Sequence, residues 1–135
     1  MITAVDTSVL LDVFGASPRF GQVSAQALRR CLNEGALVAC EAVWAETRVA
    51  FADKSRFELA MQTLGVDFCA SSQDAASQAG AMFKSYREAG GQRDRVIADF
   101  LIGAHAAQQC DRLLTRDRGY YRQHFADLDV LDPSA

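Results

Sequence analysis

The sequence predicts an α/β protein in which a parallel sheet lies between two layers of helices, a three-layer α/β/α sandwich. Three observations carry that reading. Short apolar runs alternate with longer amphipathic stretches along the 135-residue chain. A cap residue or a glycine marks the switches between the two patterns. Half of the residues are hydrophobic, enough at this length for one substantial core. Strict alternation of strand and helix implies right-handed crossovers, and these stack helices on both faces of a parallel sheet.

Each element follows from its own stretch. ITAV (2–5) reads as a strand, and a helix begins near Thr7. A second helix runs from Gly21 to about Asn33 and ends at Gly35, before the strand ALVA (36–39). Helical spacing returns over 41–52 and again over 55–64, where Gly65 closes it. VDFC (66–69) is a third strand, and the helix over 72–89 stops at Gly90-Gly91. A further helix covers 96–109 and leads into RLLT (112–115); a short helix through His124 and a fifth strand, LDVL (128–131), complete the chain. With prolines only at positions 18 and 133 and no Gly/Ser-rich linker, residues 1–135 form a single expected domain.

Composition excludes several classes. The opening MITAVDTSVLLDVFG has no basic segment ahead of its apolar run, and Asp6 and Asp12 interrupt that run, so neither a signal peptide nor a membrane span is expected and the reading is cytoplasmic. Cys31, Cys40, Cys69 and Cys110 lack zinc-like spacing and read as free thiols. Fourteen basic and seventeen acidic residues give a net charge of −3, which argues against broad affinity for nucleic acid. The charge is uneven, however. Between Lys84 and His124 stand eight basic and five acidic residues, and twelve of the fourteen cations in the chain are arginines, whose planar fork suits phosphate. A bias toward arginine codons explains the excess equally well.

In doubly wound sheets ligands bind beyond the carboxyl ends of the strands, where strand order reverses. Asp6 follows the first strand, and Asp117 lies two residues past the fourth. Each is also a natural helix N-cap. Glu46 has Ala42, Val43, Val49 and Ala50 at helical spacing, which puts it on or at the edge of an apolar face. Asp99 sits in VIADFLIGAHA, a helix apolar on most sides; there it either caps the helix or pairs with Arg95 one turn back. If strands one and four are neighbours, all four acids can converge. Two like charges about 4 Å apart repel by roughly 4 kcal/mol at an effective dielectric of 20, so such a cluster needs shared protons or a cation. Oxygen ligands without histidine or cysteine favour Mg²⁺ or Mn²⁺ over zinc. Ser8 and Thr115 stand beside these acids in sequence and are candidates to orient them, or are turn residues. Arg93, Arg95, Arg116 and Arg118 are candidates to hold a phosphodiester backbone.

VDTSVLLD, the acid in WAE, DFLIGAHA, and LLTRD before an aromatic pair, in this order, resemble the PIN-domain ribonucleases, and more narrowly the VapC toxins of VapBC toxin–antitoxin pairs. The resemblance spans residue 1 to about 132. It implies a five-stranded parallel sheet in the order 3-2-1-4-5. It also implies metal-dependent cleavage of structured RNA, tRNA above all, with Asp6, Glu46, Asp99 and Asp117 as metal ligands and catalytic acids. Asp94 competes with Asp99 for the third place. A homodimer and a small antitoxin partner belong to the same implication. The competing classes are a noncatalytic RNA- or partner-binding scaffold and a phosphoacceptor receiver domain. The latter needs a lysine after a late strand, whereas Lys54 and Lys84 both lie in helical stretches. His105 reads as structural, His124 as a cap or surface residue, and Trp44, Phe51 and Phe57 as helix-packing residues.

Overall fold

The computed structural model describes residues 1–134 and contains five strands and seven helices among them. In chain order these are β1 (Ile2–Val5), α1 (Thr7–Phe14), α2 (Gly21–Glu34), β2 (Ala36–Ala39), α3 (Glu41–Arg48), α4 (Lys54–Leu64), β3 (Val66–Phe68), α5 (Gln73–Glu88), α6 (Ile97–Gln109), β4 (Arg112–Leu114), α7 (Arg118–His124) and β5 (Val130–Leu131). All pairings are parallel and the sheet order is β3-β2-β1-β4-β5. The expected α/β/α architecture is the one observed. β1 is the switch point, with β2 on one side and β4 on the other.

The central strands are mostly apolar because both faces of the sheet are covered; the buried exceptions, Thr3 and Arg112, pair with each other at 2.9 Å. Ala4, Val5, Leu37, Ala39, Leu113 and Leu114 are all buried. Helix α6 fits between sheet and neighbours because it is apolar nearly all round: Phe100, Ile102, Ala104, His105 and Ala106 are buried along it. Trp44, Phe51 and Phe57 pack as their spacing predicts; Trp44 meets Phe57 edge-on at 5.3 Å, and Phe51 lies 5.6 Å from Phe57.

One boundary differs in an instructive way. The helical spacing over 41–52 is cut short at Arg48, because the amides of Ala50 and Phe51 bond back three residues and the Arg48 guanidinium donates to the Phe51 carbonyl at 3.0 Å. That turn leaves α3 only two turns long, and Glu46 stands in its last turn. The four cysteines are free thiols, with Cys31 and Cys40 buried. Among the described residues no helix is long and apolar enough to cross a membrane.

Candidate active site

The acids gather where β1 and β4 end side by side. The Asp6 amide donates to the Leu114 carbonyl at 2.9 Å, which carries the strand pairing one residue past both strands. Asp6 is thereby placed by the sheet itself, and Thr115 lies opposite it. The Thr115 hydroxyl donates to Asp6 Oδ2 at 2.6 Å, and the Ser8 hydroxyl reaches the same oxygen at 3.4 Å. Asp6 Oδ1 accepts from the Thr7 amide at 2.8 Å, so the side chain also caps α1. In turn, Thr115 Oγ1 accepts from the Asp117 amide at 2.9 Å. One hydroxyl thus links the loops after β1 and β4.

Asp6 is 8% exposed. Loss of solvation raises its pKa from 3.8 to about 6; the charges of Asp117 and Glu46 add to this, while the hydrogen bonds from Thr115 and Thr7 oppose it. Asp6, Glu46 and Asp117 therefore share one electrostatic field, as expected for acids assembled from three separate stretches of the chain.

Asp117 occupies the N-cap position of α7, yet its side chain does not cap. It is gripped instead by Arg95 in a bidentate pair at 2.5 and 3.3 Å, and the Arg95 guanidinium lies 4.2 Å from the centre of the Tyr120 ring. This corrects the pairing of Arg95 with Asp99. The N-cap of α6 is Val96, with extended backbone at φ −121° and ψ 168°, so Arg95 lies outside the helix and one-turn geometry with Asp99 does not arise. Asp99 is the third residue of α6 and accepts the Val96 amide at 3.0 Å, closing the exposed start of the helix. Its charge is felt by Arg95, Tyr120 and Tyr121, all neighbours of Asp117. Asp94 faces away, 3.3 Å from the Tyr86 hydroxyl.

Glu46 also departs from expectation. It is exposed rather than set in an apolar face, because Val43 and Thr47 take the buried side of the short α3. Glu46 Oε1 accepts from the Thr7 hydroxyl at 2.7 Å, which ties α3 to the start of α1. Thr7 was missed by sequence reasoning; its only signal is its position directly after Asp6.

The expected bare cluster is not seen: Asp6, Glu46 and Asp117 act on one another electrostatically, Asp99 stands at the start of α6, and each acid has a hydrogen-bond partner of its own. Among the described residues no three His, Cys, Asp or Glu side chains stand at metal-binding spacing. The donor chemistry nonetheless fits a hard divalent ion, since carboxylates and hydroxyls are present without imidazole or thiolate. The raised Asp6 pKa comes first from burial, with smaller contributions from the charges of Asp117 and Glu46.

The four arginines divide. Arg116 is committed to structure: it donates to Asp12 at 2.6 and 2.9 Å and lies 4.0 Å above the Phe20 ring. Its neighbour Asp12, only 5% exposed, also accepts from Ser24 at 2.8 Å. Arg95 is held by Asp117. Arg93 and Arg118 have no carboxylate partner among the described residues. His105 is buried, with its protonated form disfavoured by loss of solvation. His124 is not a surface cap; it lies among aromatic rings, 4.9 Å from Tyr120 and 5.6 Å from Phe100.

Among curated protein sequences none matches the chain. Among solved structures, VapBC2 from Rickettsia felis bound to a promoter DNA fragment is similar with a TM-score of 0.74 at 14% identity, covering 98% of both chains. VapBC-1 from nontypeable Haemophilus influenzae is similar with a TM-score of 0.72 at 19% identity over 100% of both chains. VapC20 of Mycobacterium tuberculosis, a toxin that cleaves the sarcin-ricin loop, is similar with a TM-score of 0.59 at 16% identity, covering 82% of this chain and 86% of that one. At these identities the likeness is one of fold. The sequence model of the PIN domain, however, matches residues 3–126, nearly the whole chain, and the chain belongs to the PIN-domain family.

Proposed function

We propose that the protein is a divalent-metal-dependent endoribonuclease and the toxin of a type II toxin–antitoxin pair, acting in the cytoplasm on structured RNA, with tRNA the first candidate. The observation that carries this reading is the buried Asp6, raised to about 6 partly by Asp117 and Glu46, at the strand-end position of a PIN domain. Asp6, Glu46, Asp99 and Asp117 would hold the ion. When bound, Mg²⁺ or Mn²⁺ neutralises charge on the phosphate and lowers the pKa of water. Thr115 and Ser8 orient Asp6, and Thr7 orients Glu46. Arg93 and Arg118, free of carboxylate partners among the described residues, would take RNA phosphates. The VapBC assemblies to which the fold is similar support an antitoxin as partner, and we propose a homodimer for the toxin itself.

A noncatalytic scaffold is the second reading, and one observation favours it: Arg95 already neutralises Asp117, and no three acids stand at metal-binding spacing among the described residues. Incubating the purified protein with total RNA in Mg²⁺ or Mn²⁺, beside an Asp6→Asn control, separates the two. Discrete cleavage that needs the metal and is lost in the variant is expected. Intact RNA under all conditions supports the scaffold, and cleavage that persists in the variant or without metal overturns the mechanism.

A further inference from the structure

An open cleft of about 810 Å³ lies between the end of α5, the loop that follows it and α7, and Arg95 on its wall joins it to Asp117. That volume is typical of a small-molecule pocket. We propose that this cleft is a nucleobase subsite, which seats one unpaired base of the RNA next to the phosphate held at the acids; this rests on the nuclease reading above.

The walls are flat rings locked against one another. Phe100 lies 5.4 Å from Tyr86 and 5.6 Å from Tyr120, and His124 packs on all three. Phe100 is fully buried and Arg95 covers the Tyr120 ring, so the half-buried rings of Tyr86 and His124 are the ones left to stack on a base. The rim carries hydrogen-bonding groups for a base edge: Asp94 accepts, and the Gln123 amide both donates and accepts. Tyr120 lines the cleft at 5% exposure, and its buried hydroxyl has no hydrogen-bond partner. A polar ligand that reached this group would satisfy it.

The loop over 89–95 is built to hold this shape. A Cβ on Gly91 would stand 2.5 Å from the Tyr86 carbonyl and 2.6 Å from its ring, so only glycine lets the loop lie that close. The Tyr86 hydroxyl donates to the Gln92 carbonyl at 2.7 Å, which pins loop to ring. The Gly90-Gly91 pair thus shapes a cleft wall as well as ending a helix. Arg95 both lines the cleft and grips Asp117, so the base position and that acid adjoin through one side chain.

The test is a ¹H–¹⁵N shift titration of the full-length protein, without divalent ions, using AMP, CMP, GMP, UMP and ribose 5-phosphate. At least one nucleotide is expected to move the Gly90, Gly91 and Gln123 amides along a saturating curve, with ribose 5-phosphate moving them less than a fifth as far. Gln123→Ala should weaken that nucleotide at least fivefold, and Ala81→Trp, which fills the cleft from its wall, should abolish the response. Equal shifts from ribose 5-phosphate, shifts mapping away from the cleft, or an unaltered response in Ala81→Trp would overturn the subsite. So would protection of these amides by the protein partner with no response to any nucleotide. Cleavage of RNA without base binding removes the subsite and spares the nuclease reading; base binding without cleavage does the reverse.

Discussion

Asp6 can be read through its proton. Burial and two neighbouring acids raise its pKa from 3.8 to about 6, so the folded state holds this proton more tightly than the unfolded chain does. As pH rises from about 4 to about 6, the unfolded chain releases the proton first, and wild-type stability falls relative to a variant that cannot ionise. Asp6→Asn should therefore be close to neutral at pH 4 and gain on the wild type up to about pH 6, with no further gain above it. The full shift corresponds to at most about 3 kcal/mol, less whatever the altered bonds to Thr115 and Ser8 cost. Urea unfolding at a series of pH values measures it; a stability difference independent of pH would show that Asp6 is not strained by its neighbours. A polar side chain that destabilises the fold while tying the end of β1 to the end of β4 is what a site retained for chemistry looks like. Asp12 is the contrasting acid. It is as buried, but Arg116 and Ser24 satisfy it. Asp12→Ala strands both partners and should cost about 2–3 kcal/mol, below the full figure for a buried pair because Arg116 is 28% exposed. Thermal or urea unfolding that finds less than about 1 kcal/mol would show the brace is dispensable.

Elements were legible because each declares its period and its stop. β1 and β2 fall on ITAV and ALVA, and α2, α5 and α6 end within a residue of their expected limits. What was not legible was a tertiary decision: the turn after Arg48 depends on a guanidinium reaching the Phe51 carbonyl, and no periodicity encodes that. Burial on every side of α6 could be read from its composition, but its closest approach could not. A Cβ on Gly103 would stand 2.2 Å from the buried Phe125 ring. Alanine is favoured over glycine in an isolated helix by about 1 kcal/mol. Here overpacking against a ring with no room to move should win, and Gly103→Ala should destabilise the protein by about 1–3 kcal/mol. Adding Phe125→Leu should recover part of that loss if the ring is the cause; no recovery would place the clash elsewhere.

Across the whole molecule, the candidate acids were legible as residues and not as an arrangement. Asp6 and Asp117 could be placed because strand ends place them, whereas the partner of each acid depends on where Arg95 and Thr7 point once the chain is folded. The same holds for the arginines. In sequence Arg93, Arg95, Arg116 and Arg118 are equivalent, yet the fold commits Arg116 to Asp12 and Arg95 to Asp117. With a net charge of −3, the protein has no general attraction for RNA, so binding must rest on a few local contacts. Each phosphate neutralised on a single strand contributes about −0.7 to the slope of log K against log salt. Arg93→Ala and Arg118→Ala should therefore each flatten the slope by about 0.7, measured by anisotropy of a labelled single-stranded RNA without divalent ions. Arg116→Ala should leave the slope unchanged and lower the melting temperature instead, because its charge is already spent on Asp12. Equal effects on the slope from all three would mean that the ion pair opens to meet RNA, and that the division drawn by the fold does not govern binding.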